Sequence, residues 1–465
     1  MRPHQLTLPA VEQGAKWETY EELIGVNMKK VILCAMLAGI INSGCTAETG
    51  QENGADYSKL TDYPAQAINE NNWSEPENIR EFSRTFELKP TRLMASGKIV
   101  YPLEQGEMQD IGKLSFNLPN EKPMTMNDAF KAASVDGYIV TKNGKVIYEK
   151  YFDGFKEHSF HSWYSASKSI LGLAFGHLVE QGKVDVNKSP SFYLPQLKGS
   201  SFDRVTIRQT LNMTTAHNFM YEPNNMKPGG QMYEYLTRAG FISPSYLVNG
   251  SSKDVRGIRG ILSLINPHPT IKPGEVFAYD NPNVDVIGWI TAKVSGVPLE
   301  VFLREHAWKD LQTEHDGLLV TDPNYVAQAS GGLISTLRDH VRFSLAVVND
   351  GKLGDTQVFP EAWVQDTFNY SQENANSFQT HVDEYKAANK SDYSQYGLVK
   401  AYKNYWYIID KDQKAMISRG FAGQFSYVNQ EKDVTITVFA GQAASQRPDA
   451  DRLSYFSHLV AQGLK

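Results

Sequence analysis

The chain has 465 residues, of which 41% are hydrophobic, and its 46 Lys and Arg against 52 Asp and Glu give a formal net charge of −6. This composition excludes general disorder, because it supplies enough apolar surface for a core. The acidic balance excludes a protein that binds nucleic acid through a basic stripe. Because its only two cysteines are Cys34 and Cys45, the chain is neither a disulfide scaffold nor a Cys-based zinc module.

The N-terminal segment indicates export. Met28-Lys29-Lys30 precedes the apolar run VILCAMLAGII, which is too short to cross a bilayer but has the shape of a secretory signal. We therefore predict that residues 1–27 lie upstream of the natural start and that residues 28–44 form a signal peptide. The polar residues 45–57 are predicted to be a flexible tether.

The signal ends at Asn42-Ser43-Gly44-Cys45, which is similar to a bacterial lipoprotein processing site with Cys45 as the lipidated residue. Asn42 departs from that pattern, since an aliphatic residue is usual there. The prediction is a protein of the bacterial cell envelope, exported to the periplasm and held at the membrane through a lipid on Cys45. Ordinary signal cleavage nearby, for example after Ala47, is the alternative.

The first strong structural signal after residue 58 is a hairpin. The segment from Gly137 to Phe152 has two β-rich runs around Asn143-Gly144, which favours a tight turn because both turn residues adopt positive φ. From Ser165 the apolar spacing changes to that of a helix, with Gly182 as a natural stop.

The rest of the chain is helical in the middle and strand-like near the end. Helical patterns are followed by the strand-like runs NYWYIID, KAMIS, FSYVNQ and DVTITVFAG and by a closing amphipathic segment. Strands at both ends of the body predict an α/β (α+β) fold, in which an antiparallel sheet flanked by helices is completed by the C-terminal strands. Residues 58–180 and 330–465 would form this α/β part, and 181–329 an inserted, mostly helical all-α domain.

Ser165-Ala166-Ser167-Lys168 is the first candidate for chemistry. Ser165 comes where strand-like sequence gives way to a helix, so we expect it near the positive end of the helix dipole. Three residues of helix place Lys168 on the same face, and a desolvated lysine there could accept the serine proton. The alternative is a helix-capping serine followed by a surface lysine.

A second candidate is Tyr279-Asp280-Asn281, which lies between a Pro-Gly turn and a predicted helix. A phenol beside a lysine ammonium could relay a proton to the leaving group. The Asn281 amide could donate a hydrogen bond to a substrate carbonyl. A turn stabilised by the Asp or Asn side chain, with a packed tyrosine, is the structural alternative.

The third candidate is the segment from Arg419 to Phe425, which lies between two strand-like runs and contains Gly420 and Gly423. Glycines on a strand permit close approach of a ligand to the backbone. A peptide N–H there, paired with that of Ser165, would make an oxyanion hole. A β-bulge or a tight turn is the structural alternative.

These motifs, in this order, resemble the serine beta-lactamase-like superfamily, which includes penicillin-binding proteins, class C beta-lactamases and related esterases. The similarity is greatest to the 6-aminohexanoate-dimer hydrolase branch and covers roughly residues 70–460. It lies in YSASKSILGLAFGHLVEQGKVDV, VTIRQTLNMTT, GEVFAYDNPNVDVIGWITAKVSG, ASGGLISTLRDHVRFSLAVVNDG and GFAGQFSYV.

The resemblance implies a beta-lactamase/transpeptidase-like fold with the active site between the α/β part and the helical part. Ser165 would be the acylated nucleophile, Lys168 its base and Tyr279 the catalytic tyrosine, with Asn281 as the family's asparagine. No cofactor and no metal ion is expected. The predicted partner is a small or oligomeric ester or amide, and nucleic acid is not expected.

The last motif departs from the family's pattern. Phe421-Ala422-Gly423 would occupy the place of the Lys-Thr-Gly triad of beta-lactamases, and the backbone N–H of Gln424 would complete the oxyanion hole. Phe421 supplies no cation and Ala422 no hydroxyl for the carboxylate of a penicillin or a peptide, and Arg419 need not point to the same place.

We therefore predict an exported serine hydrolase of the carboxylesterase or amidase type. A beta-lactamase or D,D-peptidase-type penicillin-binding protein is one alternative, and a non-catalytic envelope binding protein of the same fold is another. His161, His217 and Glu222 lie near the motifs and are expected to be structural. The polar segment 371–395, expected to be a loop, and residues 220–236 are predicted to border the pocket.

Overall fold

A computed structural model describes six stretches of the chain: 89–117, 122–220, 229–240, 257–389, 398–441 and 447–464. The predictions for the upstream segment, the signal peptide, the tether, Cys45 and Glu222 lie outside the described residues. The predicted division at residues 180 and 330 stays a prediction.

The largest element is a seven-stranded antiparallel sheet. Its strands, in spatial order, are Ala401–Lys403, Trp406–Asp410, Ala415–Arg419, Phe425–Asn429, Val434–Ala440, Val135–Lys142 and Lys145–Tyr151. The last C-terminal strand pairs with the first strand of the hairpin, with Ile436 opposite Val140. This pairing confirms the predicted sheet that joins both ends of the body.

The hairpin turn has the predicted conformation. Asn143 and Gly144 both have positive φ, 51° and 74°, as the tight turns that suit the strand twist require. Alternate side chains of the neighbouring strands then point to opposite faces of the sheet. Val438 packs in one core cluster and Phe439 in another.

Helices cover both faces of this sheet. On one face the helices Met126–Ala132 and Arg447–Gly463 pack on the strands, and Tyr138 hydrogen-bonds Ser457 at 2.9 Å. On the other face lies the helix Leu337–Val348. Its residues Leu337, Val341 and Leu345 recur at four-residue spacing and are buried, so they form one apolar stripe of the helix. The α/β fold class is thus confirmed.

A second antiparallel sheet, which the sequence did not indicate, lies beside the first candidate motif. Its four strands are Thr91–Met94, Gly317–Val320, Leu333–Thr336 and Phe160–Ser162, in that spatial order. Each strand has only three or four residues, so the two-residue alternation is too short to be recognised. Two-residue strands also pair, Ser115–Phe116 with Met124–Thr125 and Lys352–Leu353 with Thr356–Gln357.

The middle of the described chain is mostly helical. The remaining α-helices are Ser167–Ala174, Gly176–Glu180, Pro190–Tyr193, Ile207–Leu211, Gln231–Arg238, Gly257–Leu262, Pro282–Ser295, Leu299–Leu303, Glu361–Phe368 and Gln372–Asn389, and Arg304–Trp308 is a π-helix. Short 3₁₀ turns are Ile111–Lys113, Tyr164–Ala166, Pro195–Leu197, Ser201–Asp203, Asn218–Met220 and Phe421–Gly423. In the part of the chain that the structure describes, no single helix is long and apolar enough to cross a membrane. Pro282–Ser295 and Leu299–Trp308 reach that length together but are bent by 81°.

The expectation that residues 371–395 form a loop was wrong for most of the segment. Residues Gln372–Asn389 are a helix, because Phe378 and Val382, four residues apart, form a buried apolar stripe in an otherwise polar sequence. The backbone N–H of Phe277 bonds the Ser377 carbonyl at 3.0 Å, and the Phe277 and Phe378 rings are 5.2 Å apart. This helix therefore supports the segment that leads to Tyr279.

Candidate active site

Ser165 lies in the 3₁₀ turn Tyr164–Ala166, between the strand Phe160–Ser162 and the helix Ser167–Ala174. Tyr164 has a φ of 47°, which is an uncommon conformation for a residue with a large side chain. Its carbonyl accepts a hydrogen bond from the Ser167 hydroxyl at 2.5 Å, and that hydroxyl accepts one from the Leu333 amide at 3.2 Å. The strained turn is thus held from the neighbouring strand.

Trp163 anchors the turn on its other side. Its indole N–H donates to Ser335 Oγ at 2.7 Å, and its ring stacks on His340 with centroids 3.5 Å apart. Both side chains are fully buried, and burial holds the pKa of His340 well below its usual range. A neutral imidazole therefore packs behind the tryptophan as a flat, rigid surface.

Lys168 follows on the first turn of the helix and is 1% exposed. Its ammonium donates to Ser165 Oγ at 2.8 Å and also to the carbonyl of Ser330. No carboxylate of the described residues lies within ion-pair distance of this nitrogen. Lys168 is thus not the surface lysine that the alternative interpretation required.

The electrostatic surroundings of Lys168 favour loss of its proton. Burial lowers the pKa of the amine from 10.5 to about 7, although the carboxylates of Asp285 and Asp280 act to raise it. Burial also raises the pKa values of these carboxyl groups, to about 7 for Asp280 and about 6 for Asp285. A neutral amine is therefore accessible near neutral pH, which is what a base for serine needs.

Tyr279 lies on the loop before the helix Pro282–Ser295, with its ring centroid 5.1 Å from Lys168 Nζ. The ring stacks on Tyr407 at 6.4 Å and meets Tyr402 edge-to-face at 6.3 Å. Aromatic packing thus fixes the tyrosine against the lysine. The structure brings Ser165, Lys168 and Tyr279 to one place.

Asn281 immediately precedes the same helix. Its side-chain oxygen is buried and has no hydrogen-bond partner among the described residues. A buried acceptor without a partner is costly. The predicted role of the Asn281 amide N–H₂ toward a substrate carbonyl stays a prediction.

The segment Phe421–Gly423 forms a short turn beside Ser165. Gly420 lies so close to the Trp163 carbonyl that a Cβ atom would collide with it, which explains why glycine stands there. The Phe421 ring meets the Tyr164 ring edge-to-face with centroids 5.7 Å apart. The segment predicted to complete the site therefore packs on the residue before the serine.

Gln424 holds this turn with its side chain. The amide donates to the carbonyl of Phe421 at 3.0 Å and of Ala440 at 2.5 Å, and it accepts from the Ala440 N–H at 2.9 Å. The turn needs such support because Ala422 and Gly423 both have positive φ, 63° and 97°. The side chain is committed to the turn, so any role toward a substrate falls to the backbone N–H.

Arg419 does not supply the cation that Phe421 lacks. Its guanidinium pairs with Asp451 at 3.0 Å and also donates to the Ser454 hydroxyl, both on the C-terminal helix. The described part of the site thus has Lys168 but no cation at the turn formed by Phe421–Gly423. The turn therefore offers no positive charge to the carboxylate of a substrate.

Residues 128–458 match the beta-lactamase family. The chain belongs to this family. A 6-aminohexanoate-dimer hydrolase of Paenarthrobacter ureafaciens is 26% identical over 307 residues, which are 65% of this chain and 74% of the relative. A beta-lactamase of Providencia stuartii is 25% identical over 166 residues, 35% of this chain and 36% of the relative.

A solved structure of the same branch has the same fold. It is a Bacillus anthracis protein assigned provisionally as a 6-aminohexanoate-dimer hydrolase, and it superposes with a TM-score of 0.70 at 20% identity, over 84% of this chain and 96% of its own. The beta-lactamase/transpeptidase-like fold is therefore confirmed. Its family and its relatives thus identify the chain as a member of the serine beta-lactamase-fold hydrolases.

Several residues around the lysine of this beta-lactamase family member were not singled out from the sequence. They are Asp285, Tyr235 and Ser330, all buried. One signal was present, since Asp285 interrupts the apolar run Val284–Ile287 on a predicted helix, and buried carboxylates are rare unless they have partners. Tyr235 and Ser330 could not be found, because their partners are distant in sequence.

The two described histidines near the motifs make structural contacts. His217 lies between Ser201 Oγ at 2.5 Å and Asn283 Oδ1 at 3.0 Å, and burial lowers its pKa to about 4. His161 stacks on Phe439 with ring centroids 4.6 Å apart. Within the described stretches no three His, Cys, Asp or Glu side chains are grouped so that they could hold a metal ion.

A cavity of about 230 Å³ lies apart from Ser165 in this protein. None of the residues predicted to be catalytic or to bind substrate lines it. Its charged walls are Arg208, Asp366 and Lys403, in which Asp366 accepts from both cations at 2.8 Å. The two cations and the carboxylate thus pair with one another by charge and by hydrogen bonds. The chemistry of the Ser165 site, rather than the size of this cavity, therefore decides where the active site is assigned.

Proposed function

We propose that the chain is a serine hydrolase that cleaves an ester or a linear amide bond through an acyl-enzyme on Ser165. The observation that carries this proposal is the buried amine of Lys168, which lies 2.8 Å from Ser165 Oγ and has a pKa lowered to about 7. A general base for a serine requires such an amine, within hydrogen-bond distance of the hydroxyl and with a pKa near the working pH.

In the proposed reaction, the neutral Lys168 amine accepts the Ser165 proton as Oγ attacks the substrate carbonyl. The carbonyl oxygen becomes an anion, which the backbone N–H groups of Ser165 and Gln424 would stabilise. Tyr279 then passes its proton to the leaving alcohol or amine as its bond to the carbonyl carbon breaks, and the Lys168 ammonium gives the proton taken from Ser165 to the Tyr279 phenolate. Water attacks the acyl-enzyme by the same proton route in reverse and releases the acid.

The rim of the site favours an uncharged substrate segment. Phe421 and Tyr164 form an aromatic edge next to the serine, and Tyr279 packs with Tyr402 and Tyr407. Aromatic faces bind apolar or aryl groups through area and ring contacts. We infer that the acyl or leaving group that meets Phe421 is neutral, as in a short acyl ester or an internal linear amide.

A fluorophosphonate probe tests the nucleophile. Intact-mass measurement should show one adduct on the wild type and none on Ser165→Ala, while Ser295→Ala, at the C-terminal end of the helix Pro282–Ser295 and away from the site, is the control that keeps the adduct. An equal adduct on Ser165→Ala would show that the nucleophile is another residue. No adduct and no hydrolysis of any p-nitrophenyl ester or amide would favour a non-catalytic binding protein.

A beta-lactamase or D,D-peptidase activity is the second candidate, because the chain belongs to the beta-lactamase family. The lack of a cation at Phe421 and the engagement of Arg419 with Asp451 count against it, since a penicillin carries a carboxylate. Incubation with a labelled penicillin discriminates the two. Stable labelling or rapid turnover at Ser165 would make this candidate the better one.

We also propose export to the cell envelope and lipidation at Cys45, on the strength of the signal-like segment 28–44. Expression with a labelled fatty acid should label the wild type, whereas Cys45→Ser should carry no label. Cys34→Ser, inside the signal segment, should remain labelled and serves as the control. An unlabelled wild type that is still exported would indicate ordinary signal cleavage.

A further inference from the structure

The carbonyl of Ser330 is one of the two hydrogen-bond acceptors of Lys168. Other hydrogen bonds of Ser330 hold this residue in place. The backbone N–H of Ser330 donates to Asp285 Oδ1 at 3.1 Å. Ser330 comes just before the strand Leu333–Thr336 in a segment that packs on the serine helix. The atom that fixes the lysine amine is therefore positioned by Asp285.

Tyr235 completes this arrangement. Its hydroxyl donates to Asp285 Oδ2 and lies 2.9 Å from Ser330 Oγ. Tyr235 is fully buried and comes from the helix Gln231–Arg238, whereas Asp285 is on the first turn of Pro282–Ser295. Two helices thus converge on Ser330, and a hydrogen-bonded chain runs from Tyr235 through Asp285 and Ser330 to Lys168 and Ser165.

Other charged and titratable groups face this cluster from the surrounding elements. They are Asp280 and Tyr279 on the loop before the helix, His217 near Asp280, and Tyr405, whose hydroxyl donates to the Asn283 carbonyl at 3.0 Å. Asp280 accepts a hydrogen bond from the Asn283 N–H at 3.0 Å, and among the described residues it makes no hydrogen bond to Ser330 or Tyr235. Asp285 is therefore the carboxylate that is linked to the lysine through hydrogen bonds.

We propose that Asp285 is a positioning residue for Lys168: it holds Ser330, whose carbonyl fixes the amine at Ser165, and its negative charge favours the protonated amine. The role rests on the proposed function of Lys168 as the base. It requires no contact between Asp285 and substrate. Asp285 acts through the lysine alone.

The closing experiment measures the titration of Lys168 directly in the full chain. The side-chain amine of isotope-labelled lysine is followed by NMR across pH, with Lys168→Met to assign the signal. In Asp285→Asn the amide oxygen still accepts from Ser330, but the charge is lost. The Lys168 midpoint should then move to lower pH by on the order of one unit, since a nearby opposite charge shifts a pKa by about that amount.

Asp366→Asn is the matched control, because it removes a carboxylate that binds another buried lysine, Lys403. It should leave the Lys168 midpoint unchanged. If Asp285→Asn fails to fold, Tyr235→Phe replaces it. Loss of that donor leaves Asp285 less acidic, so the Lys168 midpoint should move in the same direction by less. An unchanged midpoint, or one that rises, would overturn the inference.

The fluorophosphonate labelling rate is measured on the same samples. If the inference and the proposed function both hold, the labelling profile of Asp285→Asn moves to lower pH with the lysine titration. If Lys168 titrates as expected and Ser165 is never labelled, the proposed function fails and the inference about the lysine stands. If Ser165 is labelled but the midpoint does not move, the inference alone fails.

Discussion

Two buried lysines of this protein, Lys168 and Lys403, have opposite kinds of partner. Lys403 pairs directly with the carboxylate of Asp366 at 2.8 Å and also donates to the Asn369 carbonyl. Lys168 bonds the Ser165 hydroxyl and the carbonyl of Ser330, both neutral. A buried lysine that bonds a carboxylate is held as a cation, whereas one that bonds only neutral groups can give up its proton.

The pKa values of the two lysines follow this difference. Burial lowers both, but the hydrogen bond to Asp366 opposes it at Lys403, while the pKa of Lys168 falls to about 7. Burial alone therefore does not mark a base. The absence of a directly bonded carboxylate, among the residues that the structure describes, is what separates the two.

The largest expected effect is on activity. Lys168→Met should lower kcat/KM for a p-nitrophenyl ester by roughly 10²–10⁴-fold, the usual range for a lost general base. Lys403→Met, the same change at the other buried lysine, should alter kcat/KM by no more than a few-fold. An equal loss of kcat/KM in the two variants would contradict the assignment of Lys168, and not Lys403, as the base.

The second-largest expected effect on activity is that of Tyr279→Phe, because the Tyr279 ring lies over the Lys168 amine. We expect a loss in kcat/KM on the order of 10²-fold for an amide and a smaller loss for an activated ester, because an amine leaving group needs protonation. Tyr370→Phe is the control, as Lys411 lies 5.7 Å from that ring outside the site. A loss that is the same for ester and amide would argue against proton delivery by Tyr279.

The pH dependence of the wild type gives a smaller, graded effect. Because only the neutral amine of Lys168 accepts a proton, kcat/KM should fall about tenfold per pH unit below the lysine's pKa of about 7. Activity should therefore rise with pH through that value, and Lys403→Met should keep the same midpoint. Activity that falls as pH rises through this range would contradict the assignment of the base.

The smallest expected effect is on stability, and it differs between the two lysines. Lys403→Met leaves Asp366 with one cation fewer and should lower the free energy of unfolding by about 1–3 kcal/mol. Lys168→Met removes a buried amine that has no direct ion pair and should leave that free energy unchanged or higher. Urea unfolding of both variants measures this. A larger loss at Lys168 would mean that its hydrogen bonds stabilise the fold.

Much of the fold was predictable because it depends on local sequence patterns. The helix Leu337–Val348, the turn at Asn143-Gly144 and the C-terminal strands follow from apolar spacing and turn chemistry within short windows. The four-stranded sheet and the helix Gln372–Asn389 were missed. The strands are too short to show alternation, and the polar composition of the helix concealed its buried stripe.

By itself, the sequence determined which residues stand near the chemistry: Ser165 and Lys168 on one helical turn and Tyr279 before a helix. Only the tertiary structure decided that Lys168 is buried without a carboxylate partner, that Ser330 and Asp285 stand behind it, and that Arg419 binds the C-terminal helix. The reason is physical. Spacing along a helix follows from local backbone geometry, whereas the pKa of an amine depends on burial and on charges brought from distant parts of the chain.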